Sequence, residues 1–155
     1  KDKAKALGLK PNEVIALASI VHKETAKDDE RPTVAGVYLN RLRKRMLLQA
    51  DPTVIYAIKK ETGNFDTIIK RVLYKDLEMD SPYNTYKYAG LPPGPIAMPD
   101  ITAIDAVLNP KKHNYYYFVA NVEKFGYHMF AENLTQHNRN KEQYIRWINA
   151  QKINR

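Results

Sequence analysis

Apolar positions recur at helical spacing through most of the chain, and β-rich runs appear only in its last third. Over residues 11–25, Val14, Leu17, Ala18, Ile20 and Val21 form one apolar side, with Pro11 suited to a first helical position and Glu13 to the first turn. A charged, proline-containing link, Lys27 to Pro32, follows. Val34, Ala35, Tyr38, Leu39, Leu42 and Met46 then mark a second amphipathic helix. Asp51-Pro52 reads as an N-cap followed by a proline at the first helical position, and Val54, Ile55 and Ile58 supply that helix's apolar side. The pattern weakens over residues 61–80, where it predicts a turn at Gly63-Asn64 and a short helix from about Asp66 to Val72. Ile101 to Leu108 predicts a short helix stopped by Asn109-Pro110. Tyr115 to Ala120 and Tyr127 to Ala131 are β-rich and joined through a turn, the pattern of an antiparallel hairpin. A last helix is predicted from about Asn140, with Tyr144, Ile145, Trp147 and Ile148 facing the core. The class is α+β, mostly helical, with a small antiparallel sheet.

Residues 81–99 differ in kind, holding five prolines and two glycines. A loop this long without regular structure is usually functional or disordered. Its tyrosines argue for order, since disordered segments are poor in aromatics. The 155 residues suit a single domain, 1–155, able to bury about two-thirds of its unfolded surface. With no cysteine, disulfides and thiolate metal sites are excluded, and the compartment stays open. No run approaches the ~20 apolar residues of a membrane span, and no signal peptide is visible. The chain opens at Lys1 in helical-looking sequence, so a longer parent protein is expected.

The net charge of +8 invites nucleic acid, an anionic membrane surface or an acidic polymer. No nucleic-acid motif accompanies it, and Arg41, Arg43, Lys44 and Arg45 read as a solvated helix end where cations suit the macrodipole. Nucleic acid is therefore not an expected partner. The four histidines (His22, His113, His128, His137) lack metal-ligand spacing, so neither a metal nor another cofactor is expected.

Chemistry centres on Glu24. With Leu17 at zero on a helical wheel of about 100° per residue, Glu24 falls at the edge of the apolar cluster while His22 and Lys23 point away. A carboxyl pushed toward apolar surroundings keeps its proton to higher pH, which a general acid needs. The alternative on this geometry is a glutamate that curls out to water. Asp51 is the rival carboxyl, and its plain reading is helix capping.

The run Ala18-Ser19-Ile20-Val21-His22-Lys23-Glu24-Thr25 resembles the signature helix of the YceG-like (MltG-type) endolytic murein transglycosylases. The resemblance continues, in order, through Leu48-Gln49-Ala50-Asp51-Pro52-Thr53-Val54-Ile55-Tyr56, Tyr83-Asn84-Thr85-Tyr86 and Gly90-Leu91-Pro92-Pro93-Gly94-Pro95-Ile96. Tyr117 to Ala120, His128-x-Phe130 and His137-Asn138 extend it, so that it covers roughly residues 6–148. One position departs: many members read Glu-Lys-Glu-Thr where this chain has His22. A Glu followed by Thr also resembles the Glu-Ser pair ending the active-site helix of other, lysozyme-like lytic transglycosylases.

The resemblance implies a lyase that cuts the β-1,4 bond between N-acetylmuramic acid and N-acetylglucosamine within nascent peptidoglycan strands. Glu24 would be acid then base, leaving 1,6-anhydromuramic acid ends that terminate elongation. It further implies that Gln49, Asp51, Tyr83, Asn84, Thr85 and Tyr86 bind substrate. In that picture Tyr83 and Tyr86 stack on sugar faces, Asn84 holds an N-acetyl group, and His128 and His137 make structural hydrogen bonds. The parent would carry one N-terminal membrane helix, place this domain on the extracytoplasmic side of the cell membrane, and work beside membrane-bound peptidoglycan synthases. Two other functions fit the residues: a hydrolysing muramidase, and a non-catalytic wall-binding module suggested by His22.

Overall fold

The computed structural model describes residues 2–69 and 72–153. Six α-helices and a two-stranded sheet are ordered α1 (Asp2–Ala6), α2 (Pro11–Glu24), α3 (Arg31–Arg43), α4 (Asp51–Thr62), α5 (Ile101–Leu108), β1 (Tyr117–Ala120), β2 (His128–Ala131) and α6 (Leu134–Ile153). A 3-10 helix, Tyr74–Glu78, lies between α4 and α5. No helix of the described residues is long and apolar enough to cross a membrane.

α2 is the central rod. It starts at Pro11, and Glu13 reaches back to accept the Lys10 N–H at 2.9 Å, satisfying a donor the helix cannot. Its apolar side is almost fully buried: Leu17, Ala18, Ile20 and Val21 are all at 0% exposure. They pack with Val34, Ala35, Tyr38 and Leu39 of α3 and with Ala103, Ala106 and Val107 of α5 in one apolar cluster. Ser19 sits in the same interior, satisfied by donating to Ala16 O and accepting from Ile96 N–H. At the other end Thr25 turns extended (φ −143°), so Glu24 is the last helical residue.

A buried arginine locks that end. Arg31 donates from Nε to Thr25 O at 3.0 Å and from Nη1 to Thr102 Oγ1 at 2.7 Å, and pairs with Asp100 at 3.1 Å. Carbonyls that α2 leaves open thus receive a cation, and the starts of α3 and α5 are tied to it. His22 joins the same knot: its Nδ1 accepts the Asp100 N–H at 3.2 Å.

β1 and β2 pair antiparallel with Phe118 opposite Phe130 and Ala120 opposite His128. Several boundaries differ from expectation. α3 starts at Arg31 and ends before Met46, because Pro32 serves as an early helical residue rather than part of a link. α6 starts at Leu134, well ahead of Asn140, because Asn133 Oδ1 accepts the Gln136 N–H at 2.9 Å and caps it. On α6, Ile145 and Trp147 are exposed at 51% and 41%, so they do not face the core; Tyr144 and Ile148 are half-buried. Residues 66–69 are not helical, and the remainder of the helix predicted to Val72 lies partly outside the described residues. The 3-10 turn forms further on instead, where Asp76 Oδ2 accepts the Leu73 N–H at 2.9 Å.

Candidate active site

The end of α2, the adjoining face of α3, the segment before α4, the strand β1 and the start of α6 enclose a cleft of about 320 Å³. Its lining includes Glu24, Tyr38, Arg41, Gln49, Asp51, Tyr86, Tyr117 and His137. Such a volume is at the low end of small-molecule sites.

Glu24 is half-buried, its wheel position carrying the side chain inward rather than out to water. The Tyr38 hydroxyl, on a side chain only 2% exposed, donates to Glu24 Oε2 at 2.8 Å. Burial raises the Glu24 pKa to about 7, against the Tyr38 hydrogen bond and the nearby His128, which favour the charged form, and with help from the Asp51 charge. Because Oε2 already accepts a hydrogen bond from Tyr38, the acidic proton belongs on Oε1. A carboxyl tuned this way is able to give up and take back a proton near neutral pH.

Behind it, Glu30 (6% exposed) accepts both the His128 N–H at 2.7 Å and a bond from Nδ1 at 2.6 Å. Burial pulls the Glu30 pKa upward, but the His128 contacts and Thr25 outweigh it, and the carboxyl is held below its ordinary value. His128 is thereby structural, as the sequence suggested.

Asp51 is not the cap of α4. The cap position falls on Ala50, no side chain fills it, and Asp51 instead accepts the Tyr86 hydroxyl at 2.5 Å on the cleft wall. Burial first, then this bond and the Asp51 charge, raise the Tyr86 pKa, so the phenol keeps its proton. Gln49 reaches the cleft from a left-handed backbone (φ 51°), a conformation that costs a non-glycine residue energy and is held here by its N–H bond to Thr85 O at 3.2 Å.

Of the four residues in the Tyr83–Tyr86 block, only Tyr86 lines the cleft. Asn84 is 0% exposed; its amide donates to Leu77 O and Met79 O at 3.0 and 2.8 Å and accepts Tyr86 N–H at 2.9 Å. With both N–H donors spent and no exposed surface, that side chain does not reach a sugar in the cleft. Thr85 is 1% exposed, and its Oγ1 accepts the Ala50 N–H at 2.9 Å. Thr53 spends its one hydroxyl proton on Ala50 O at 2.6 Å, so Thr85 is the donor in the 2.8 Å bond between the two threonines. The pair fastens the loop to the segment presenting Gln49 and Asp51. Tyr83 packs against Tyr56 of α4, ring centroids 4.8 Å apart, with Lys60 Nζ over its face at 5.3 Å. Asn84, Thr85 and Tyr83 shape the cleft without lining it.

Tyr38 and Arg41 also line the cleft, although in the sequence their positions read as ordinary core and helix end. Arg41 is only 7% exposed, contrary to the solvated end expected. His137 was expected to make a structural hydrogen bond, yet its Nδ1 is buried without a partner among the described residues while the ring stacks on Tyr117 at 5.0 Å. Burial first, then Lys141 and Arg41, lower its pKa, so the ring stays neutral. Among the described residues no group of three or more His, Cys, Asp or Glu side chains could hold a metal ion.

Fold and cleft together define an α+β protein with one glutamate poised for proton transfer at the end of its central helix. The YceG-like family profile matches residues 1–143, and the chain belongs to that family. A Bacillus subtilis protein named endolytic murein transglycosylase is 45% identical over 134 residues, which are 86% of this chain and 35% of that protein. A Streptococcus pneumoniae protein of the same name is 38% identical over 141 residues, 91% of this chain and 25% of that one. The crystal structure of a yceG-like protein from Listeria monocytogenes superposes with a TM-score of 0.75 at 39% identity, covering 89% of this chain and 41% of its own. The chain thus spans well under half the length of each of these relatives.

Proposed function

We propose that this chain is the catalytic domain of an endolytic murein transglycosylase, cutting the bond between N-acetylmuramic acid and N-acetylglucosamine inside peptidoglycan strands. The observation that carries the reading is the Glu24 carboxyl, half-buried in the cleft, raised to about 7 and held through Oε2 by Tyr38. The names of the Bacillus and pneumococcal relatives support the substrate class.

Glu24, protonated on Oε1, gives its proton to the glycosidic oxygen as that bond breaks, and the leaving sugar departs as an alcohol. The resulting carboxylate faces the oxocarbenium-like muramyl ring. It then takes the proton from that sugar's own C6 hydroxyl as O6 bonds to the anomeric carbon, closing the 1,6-anhydro ring and restoring the acid. Proton and electron pairs balance without water. A hydrolysing muramidase is the second reading, because Asp51 is a further carboxyl on the lining. Its Tyr86 bond occupies Oδ1, which favours a positioning role over activation of water. Gln49 and Tyr86 are the polar and aromatic groups proposed to meet the sugar. We assign the parent protein to the cell membrane through an N-terminal helix, with this domain outside and synthases as neighbours.

The test is to incubate the protein and its Glu24→Gln variant with uncrosslinked strands and read products by mass spectrometry. Internal fragments with anhydro ends, lost in the variant by at least ~100-fold, are expected. Reducing ends instead would establish the muramidase, and cleavage that persists in the variant would remove Glu24 from the chemistry.

A further inference from the structure

Arg41 is a buried cation that the proton-transfer scheme leaves without a task. It sits on α3 three residues beyond Tyr38, on the same face, and lines the cleft. Its Nε donates to Tyr116 O and its Nη1 to Leu47 O, both at 2.7 Å, and the guanidinium lies over the Tyr117 ring at 5.0 Å from the centroid. All these partners are neutral. The ion pairs among the described residues involve other cations, and none involves Arg41. Neither carboxyl on the lining forms an ion pair with it: Asp51 is taken up by the Tyr86 hydroxyl and Glu24 by the Tyr38 hydroxyl. A charge this deep normally has a counter-ion, because removing an unpaired charge from water is costly. Beside it stand the Nδ1 of His137, without a partner among the described residues, and the exposed Lys141, both from α6 and both on the lining.

We infer that Arg41, with Lys141 and His137, forms an anion subsite that takes a carboxylate of the glycan substrate and thereby sets which glycosidic bond reaches Glu24. The inference rests on the proposed glycan substrate. In such a strand the muramic units carry a lactyl ether, whose carboxylate is either free or extended by a peptide with carboxylates of its own. The glucosamine units carry none. An anion site at a fixed place in the cleft therefore accepts the strand in one of two registers, putting one type of bond at Glu24 and keeping the other away. The free Nη2 edge of a clamped guanidinium suits a carboxylate oxygen, and Lys141 supplies the second charge.

The test measures binding in the Glu24→Gln background, so that cleavage does not intervene. Three probes are used: stem-free strands with free lactyl carboxylates, strands with intact stem peptides, and N-acetylglucosamine oligomers of equal length. At least one carboxylate-bearing strand is expected to bind roughly tenfold tighter than the neutral oligomer. Which of the two does so tells whether the lactyl or a peptide carboxylate is held. Lys141→Gln and Arg41→Gln are each expected to erase most of that advantage, read as the ratio of the carboxylate-bearing strand's affinity to the neutral oligomer's, a ratio that loss of a purely structural clamp would not move. Lys141 is exposed, so its variant keeps the question answerable if Arg41→Gln fails to fold. Equal affinity for the three probes, no binding of any, or an advantage untouched by Lys141→Gln would overturn the inference. Charge discrimination without cleavage by the unmodified protein would remove the transglycosylase reading alone; anhydro products without discrimination would remove the anion subsite alone.

Discussion

At Glu24 two opposing influences meet on one carboxyl: burial keeps the proton on, while the Tyr38 hydroxyl and His128 favour its release. The balance falls near neutrality, so activity is expected to decline as pH rises through about 7, where the acid form is lost. Tyr38→Phe separates the two influences. Removing the donor takes away a stabiliser of the carboxylate, so the alkaline limb of the pH–rate profile should move upward while the rate at its plateau falls roughly tenfold as Oε1 and Oε2 become equivalent. A rate loss with an unmoved profile would mean that Tyr38 only fills space. Glu24 was legible because a carboxylate beside an apolar stripe is anomalous. Tyr38 was not, because on a wheel it reads as one more core aromatic, and only the packing of α3 against α2 aims its hydroxyl at Oε2.

At the scale of elements, close approaches set tolerances that periodicity does not reveal. The backbone of residues 111–113 runs so near α3 that a Cβ on Gly36 would lie 2.6 Å from Lys111 O and from His113 Nε2. His113 is itself fixed, with Nε2 donating to Thr33 O at 2.8 Å and Nδ1 accepting from Tyr115 N–H at 3.0 Å. Gly36→Ala is therefore expected to destabilise the fold by about 1–3 kcal/mol, read as a lower Tm, because the nearest atoms are backbone or pinned side chain. Gly94→Ala meets only the Tyr83 hydroxyl, at 3.4 Å, and should be much milder. The helices with strong apolar stripes, α2 and α5, matched expectation closely. The failures were at α6, where a lone Asn133 cap outranked the stripe as a start signal, and at residues 66–69, where local propensity found no surface to pack on.

For the molecule as a whole, the two shifted glutamates predict a stability optimum. Glu24 has its pKa raised, so its contribution is present below the ordinary carboxyl value of 4.5 and is lost as pH climbs through about 7. Glu30 has its pKa lowered, so its contribution is present above 4.5 and is lost as pH falls through its value in the fold. Thermal unfolding followed across pH should show a maximum on the acid side of neutrality. Between about pH 4.5 and 7, where the parent loses stability, the Glu24→Gln variant should hold its Tm, by an amount corresponding to roughly 1–3 kcal/mol. An identical decline in both proteins across that window would show that Glu24 is not a buried acid.

The sequence alone determined α2, α5, the hairpin and the ordered proline-rich loop, and set the Glu24 carboxyl beside an apolar stripe, because each depends on a pattern within a few residues of itself. Tertiary structure decided which of the matched residues share the cleft. Asn84 and Thr85 turned inward to satisfy buried backbone groups, Tyr83 packed away against α4, and Arg41 and His137, from helices far apart in the chain, met beside Glu24. Hydrogen-bond demand in the interior is a property of all the segments that meet there, and no local run of residues carries it.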